Sequence, residues 1–231
     1  MIGIIGAMDE EVAMLKEKLT EVQVETKAAM DFYKGKLEGK DVVVVRSGIG
    51  KVNAAMCAQI LADVYHADHV INTGIAGSLK AEINIGDIVL STDALQHDMD
   101  ATGFGYEPAE IPLMGKKTFE ADASLRSLIA ETCRELDPEI GVFEGRVVSG
   151  DQFISDGDVK DRLVRMFAPY CTEMEGAAIA QAAWLNQIPF VIIRAISDKA
   201  DGSAHMDYSE FEAKAIEHTV RLVEAAAAKL A

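Results

Sequence analysis

The 231-residue chain carries 22 basic and 38 acidic residues, a formal charge of −16, with 49% hydrophobic and 26% charged residues. That balance excludes an intrinsically disordered chain. The acidity opposes nucleic-acid phosphates and anionic lipid, which call for clustered Lys and Arg, so no nucleic acid, no membrane and instead a small-molecule partner are expected.

"IGIIGA" reads as a buried strand. No basic region precedes it and acids follow at once, so the expectation is neither a signal peptide nor a membrane span. "DEEVAMLKEKL" reads as a helix with Val12, Leu15 and Leu19 on one face. "DVVVVRSGIG" is a strand ending in glycines, and "KVNAAMCAQILADVY" a helix in which Val52, Met56 and Ile60 recur at helical spacing. "HVINTGIAG" repeats the strand-then-glycine pattern. A strand at "GDIVLST", a helix from about Ala121 to Leu136, and a long strand at "GVFEGRVVSGD" follow. Ser155 and Asp158 fit a capping box ahead of "VKDRLVRMF". "CTEMEGAAIAQAA" leads into an alanine-rich helix, and "IPFVIIRAIS" is the strongest buried strand. The closing segment "YSEFEAKAIEHTVRLVEAAAAKL" is a long helix with Phe211, Ala215 and Leu222 toward the core. Strands alternating with helices predict one α/β domain over 1–231, built round a mostly parallel sheet. Cys57, Cys133 and Cys171 are odd in number and lack paired spacing, which suits buried thiols in a reducing cytoplasm.

Ligands of such sheets collect beyond the carboxyl ends of the strands. Those ends hold Met8 to Glu11, Ser47 to Gly50, Thr73 to Gly77, Ser149 to Ile154, Glu173 to Glu175, and Ser197 with Asp198. Glycines and carboxylates converge there with almost no cations. "SGIGKV" is not a phosphate loop, because Val45 and Val52 stand where glycine and Ser/Thr are needed. "GIIGA" lacks the three glycines of a dinucleotide fingerprint. "HDMD" (His97, Asp98, Asp100) has no second ligand set, so no metal is predicted. No G-x-S-x-G elbow or Cys/His nucleophile is present. Glu173 and Glu175 share a face in extended backbone but diverge by roughly 200° in a helix. At a strand-to-helix junction one of them should face a ligand, although acids there also complement the helix dipole.

"IGIIGAMDEEV", "SGIGKVNAA", "NTGIAGSL", "HDMDATGFGYE", "VSGDQFI", "EMEGAAIA" and "VIIRAISDKAD" occur in the order seen in 5′-methylthioadenosine/S-adenosylhomocysteine nucleosidases. The chain resembles that family from its first strand to its last helix. The resemblance implies a three-layer sandwich whose central mixed, partly barrel-like sheet is flanked by helices. It implies hydrolysis of the adenine–ribose bond of 5′-thioadenosines, with 5′-deoxyadenosine as a further substrate. It also implies a homodimer with no metal or organic cofactor.

Breaking an N-glycosidic bond places positive charge on the sugar and negative charge on the departing base, so an acid and a base are both useful. By resemblance Asp198 is the acid that protonates adenine, positioned by Ser197, and burial of its strand favours the protonated form. The alternative is a helix cap or a pair with Arg194. Glu11 is the base that activates water; its neighbours Asp9 and Glu10 read as solvated acids. Glu175 accepts hydrogen bonds from the ribose hydroxyls, Met174 covers the sugar, and Glu173 supports the site or caps the helix. Phe153 and Ile154 hold adenine, while Ile75, Ala76 and Gly77 border the pocket. Ile75 stands where many relatives carry serine. Met8, Ile49, Phe104 and Tyr208 enclose the 5′-thioalkyl group. Phe104 and Pro112 lie in the loop that, in the family, reaches the neighbouring subunit's pocket. Arg194 either supports a phosphate site or orients water beside Glu11. A purine nucleoside phosphorylase, an aminofutalosine hydrolase and a non-catalytic nucleoside-binding protein are the alternatives.

Overall fold

The computed structural model of the chain describes residues 1–201 and 204–230, with backbone alone for 204–210. In chain order the elements are β1 (Ile2–Gly6), α1 (Asp9–Glu17), β2 (Thr20–Lys27), β3 (Met30–Leu37), β4 (Lys40–Arg46), α2 (Lys51–Asp63) and β5 (His69–Ser78). They continue with β6 (Ile88–Gln96), β7 (Phe119–Glu120), α3 (Ala123–Leu136), β8 (Val142–Ser149), α4 (Gly157–Phe167) and β9 (Cys171–Glu173). The last three are α5 (Gly176–Leu185), β10 (Phe190–Asp198) and α6 (Ala204–Lys229). No helix among the described residues is long and apolar enough to cross a membrane.

Strands β10, β6, β8, β9 and β5 pair in that order, and β10 pairs again with β5, closing a ring. From β5 the sheet continues outward through β1, β4, β3 and β2. Parallel pairs (β1–β4, β1–β5, β5–β10, β6–β8, β8–β9) are matched by antiparallel ones at β6–β10, β5–β9, β6–β7, β2–β3 and β3–β4. The sheet is therefore mixed and partly closed, as the resemblance implied, rather than mostly parallel. Helices α2 and α5 cover one face and α1, α3 and α6 the other, which makes the three layers. Runs such as Val42–Val45 and Phe190–Ile193 are apolar at every position because both faces of their strands are covered.

Three local readings need correction. The buried face of α2 is Ala54, Cys57, Ala58 and Leu61, while Val52 is 71% exposed and Met56 also faces outward. Small residues let α2 lie close to the alanine-rich α5, and with apolar residues on both faces the periodicity could not choose. Helix α4 is capped by Asp156, whose carboxylate accepts from Asp158 N and Val159 N, not by Ser155. Finally, residues 20–37 form a β-hairpin that the sequence did not announce. Its turn uses Ala28 and Ala29 at φ +49° and +60° instead of the usual Asn-Gly, and β2 is exposed along nearly all its length.

Candidate active site

Strands β1, β5 and β10 run parallel and finish side by side, and the chain leaving them borders a cavity of about 430 Å³. The β1–α1 turn supplies Met8 and the start of α1 Glu11, the β4–α2 turn Ile49, and β5 supplies Ile75, Ala76 and Gly77. Phe153 comes from beyond β8, Met174 and Glu175 from the β9–α5 junction, and Ser197 and Asp198 from the end of β10.

Glu11 sits in the first turn of α1, where backbone N–H groups lack helical partners. Its Oε2 accepts from Ala7 N (2.6 Å) and Met8 N (3.0 Å), and its Oε1 from Ile75 N (3.3 Å). Glu11 thus caps the start of α1, yet the same carboxylate borders the cavity and is only 4% exposed. Burial pushes its pKa up, against the opposing pull of Arg194 and the three N–H donors. Position 74 must be glycine for this arrangement, because any Cβ there would overlap Glu11 Oε1.

The two glutamates of "EMEG" part company at the strand-to-helix junction. Glu173 turns inward: its Oε1 accepts from Ser149 Oγ, and its Oε2 from Arg194 Nη2 (2.6 Å), Glu175 N (3.0 Å) and Gly176 N (2.7 Å). It caps α5 and anchors a buried ion pair. Burial works against its charge, but Arg194 and the donors around it hold its pKa below the usual carboxylate range. Glu173 borders the cavity with both oxygens already engaged. Arg194, expected among the binding groups, is 2% exposed and lies behind the cavity wall rather than in it. Its guanidinium also donates to Asn72 Oδ1 (2.6 Å) and Ile193 O (3.1 Å). Burial disfavours its charge, yet Glu173, Glu11 and Glu175 together raise its pKa.

Glu175 is the glutamate that faces the cavity, with its Oε1 accepting from Gly50 N (2.9 Å). Burial and then the charge of Glu173 push its pKa up to about 8 from 4.5, against the opposing effect of the Gly50 N–H. The fold therefore binds this proton more tightly than the unfolded chain does. The stability it contributes is full below about pH 4.5 and is lost as pH rises through about 8. Glu175→Gln should accordingly gain on the parent in thermal midpoint as pH is raised across that window. A pH-independent difference in melting curves would contradict this account.

Asp198 closes β10. Its Oδ2 accepts from Ser197 Oγ (2.9 Å) and its Oδ1 from Ala200 N (2.7 Å). Gly77, directly across on β5, leaves the room: a Cβ there would press on Asp198 Oδ1 and on Ala200, each at 2.8 Å. Arg194 pairs with Glu173, so the pairing entertained for Asp198 is answered by a different acid.

Ile154 lies in an adjoining recess instead of the main cavity. Phe104, 89% exposed on a short helical turn at Thr102–Phe104, and Pro112 do not border this chain's own cavity. Tyr208 falls on α6, and its side chain lies outside the described residues. Ala7 and Thr172 border the cavity without having been expected there. Thr172 had a usable signal, since it adjoins Glu173 on the short strand that leads into the site.

A family model described as the Phosphorylase superfamily matches residues 1–228. A 5′-methylthioadenosine/S-adenosylhomocysteine nucleosidase of Bacillus thuringiensis is 41% identical over 226 residues, covering 96% of each chain. The structure of the Neisseria meningitidis 5′-methylthioadenosine/S-adenosylhomocysteine nucleosidase, in complex with methylthio-immucillin-A, superposes with TM-score 0.95 at 36% identity, covering 99% of both chains. A futalosine hydrolase mutant of Helicobacter pylori follows at TM-score 0.93 and 30% identity, again over 99% of each chain. Together with the mixed, ring-closed sheet and its carboxylate-lined cavity, these likenesses show that the chain belongs to the 5′-methylthioadenosine/S-adenosylhomocysteine nucleosidases of the phosphorylase superfamily.

Proposed function

We propose that the protein hydrolyses the N-glycosidic bond of 5′-methylthioadenosine and S-adenosylhomocysteine, releasing adenine with 5-methylthioribose or S-ribosylhomocysteine. The observation that carries this reading is the pair of buried carboxylates, Glu11 and Asp198, on either side of β5 at one cavity. Neighbouring strands lie about 4.8 Å apart, so groups based two strands apart can straddle a nucleoside.

In the proposed mechanism Asp198 gives its proton to a ring nitrogen of adenine as the bond to the ribose breaks. Positive charge builds on the sugar, whose hydroxyls are held by hydrogen bonds to Glu175. Glu11 takes a proton from water as the water oxygen bonds to the anomeric carbon. Adenine leaves neutral, the sugar keeps the new hydroxyl, and solvent returns the proton from Glu11 to Asp198. Phe153 and Ile154 hold the base, while Met174 covers the sugar. Met8 and Ile49 supply apolar surface to the 5′-substituent, at about 0.8 kcal/mol per buried CH₂.

Hydrolysis is favoured over phosphorolysis by charge. No lysine or arginine borders the cavity among the described residues, and the nearby guanidinium of Arg194 is committed to Glu173. The deciding assay is adenine release from 5′-methylthioadenosine in phosphate-free buffer. Free methylthioribose is the expected product; release only with phosphate, as a sugar phosphate, would make the protein a phosphorylase. The likeness to futalosine hydrolase supports a second reading, in which aminofutalosine is the better substrate. The same assay with aminofutalosine and 5′-deoxyadenosine ranks the three.

The protein acts as a homodimer of single-domain subunits in this reading. Val52 and Met56 on α2, Trp184 and Leu185 on α5, and Phe104 and Leu113 in the β6–β7 connection leave apolar surface exposed. Helices α2 and α5 pack together on one side of the sheet, and Lys51 Nζ holds the connection there through Asp98 Oδ1 (2.6 Å). A second copy seated on this patch would bury it and bring its own Phe104 and Pro112 toward the first cavity. Sedimentation should give twice the 24.9 kDa chain mass, and Val52→Glu with Met56→Glu should yield monomers with a raised KM. A monomeric parent would refute the dimer. The buried free thiols of Cys57, Cys133 and Cys171 support a cytoplasmic setting.

A further inference from the structure

Asp198, Gly77 and Thr172 occupy one row across three neighbouring strands: Asp198 pairs with Gly77 on β5, and Gly77 with Thr172 on β9. Residues directly opposite in a sheet point to the same face. Asp198 Oδ1 lies on the face where a Gly77 Cβ would stand, so the Thr172 side chain projects on that face as well. Between them Gly77 contributes no side chain. The result is a recess of about 30 Å³ opening beside the main cavity, bordered by Phe153, Ile154, Thr172 and Asp198.

Thr172 is only 5% exposed, and its Oγ1 has no hydrogen-bond partner among the described residues. A valine would fill the same volume without burying an unpaired hydroxyl, so the fold alone gives no reason for threonine. Thr172 borders the same recess as Asp198, the group that addresses the base, and Phe153 and Ile154 of the base-holding segment border it as well.

We propose that Thr172 is a base-binding residue, whose hydroxyl makes a polar contact with the edge of the purine beside Asp198. The contact is direct or runs through one water, which a recess of this size can hold. This inference rests on the nucleosidase reading of the cavity. It predicts an opposition between binding and folding: the hydroxyl is a cost in the ligand-free protein and a gain in the complex.

The test is calorimetric titration of the full-length protein with adenine, alongside thermal melting without ligand, for the parent, Thr172→Val and Thr172→Ser. Thr172→Val should melt at or above the parent and bind adenine about tenfold more weakly. Thr172→Ser, which keeps the hydroxyl, should bind within about twofold of the parent. Parental adenine affinity in Thr172→Val would overturn the proposal. So would a lower melting point for Thr172→Val with binding weakened equally in Thr172→Ser, since that pattern belongs to lost packing. A parent that binds no adenine would overturn the nucleosidase reading itself, a result distinct from a loss confined to the variants.

Discussion

Asp198→Asn should lower kcat for adenine release by about 10²–10⁴-fold, the range general acids contribute, with KM little changed. The substitution suits the site sterically. The asparagine carbonyl can keep the acceptor role toward Ala200 N, where Asp198 Oδ1 now sits at 2.7 Å. Its amide can donate to Ser197 Oγ, whose hydroxyl already has Ala76 O within 3.4 Å as another acceptor. The local hydrogen bonds can therefore be satisfied without the carboxyl. What vanishes is a transferable proton, and an amide cannot supply one at neutral pH. Steady-state kinetics combined with adenine titration separates the effects: intact binding with slow turnover supports the role, and near-parental kcat removes Asp198 from it.

Glu11→Gln should retain substrate binding while losing hydrolysis by a comparable factor, about 10²–10⁴-fold. The amide oxygen can still accept from Ala7 N and Met8 N, so the first turn of α1 keeps its partners. The remaining amide nitrogen cannot accept from Ile75 N, a weaker contact at 3.3 Å. The base is gone, and so is a negative charge beside Arg194. The parent's pH profile offers a second readout. Burial raises the pKa of Glu11, and only its ionised form can take a proton from water. Activity should thus fall on the acid side at a pH above the ordinary glutamate range, and that limb should be missing from the residual rate of Glu11→Gln. Loss of binding in place of turnover would recast Glu11 as a ligand contact.

The parts of the fold legible in the sequence were those where one physical requirement dominates. Val42–Val45 and Phe190–Ile193 need apolar residues at every position because both faces are covered. The α2 face was misread because Val52 and Met56 answer to a surface requirement that periodicity cannot separate from a core one. The β2–β3 hairpin escaped because its turn residues are alanines held at positive φ by the strands they join. In the site, carboxylates at strand ends stood out, and Met8, Glu11, Ile49, Ile75, Ala76, Gly77, Phe153, Met174, Glu175, Ser197 and Asp198 do border one cavity. Which glutamate of the pair would turn outward depends on where β9 stops and α5 starts, a matter of one residue. Arg194 shows the opposite limit. Its identity suggested a ligand contact, whereas its buried partners Glu173 and Asn72 come from remote positions that no local pattern connects.

The closure of the strand ring also bears on how the molecule is made. Phe190 pairs with Val70, about 120 positions earlier, and this last parallel pairing completes the circuit. Long-range pairings of this kind form late, because the intervening chain loses its freedom before the contacts repay it. On a ribosome, β5 pairs with β1 early but must wait for most of the remaining chain before it acquires β10, and Asp198 is the final residue of that arriving strand. Until β10 arrives, the chain carries Glu11 and Glu175 but has neither the acid for the base nor Arg194, the partner of Glu173. Competence therefore arrives in a single late step of synthesis.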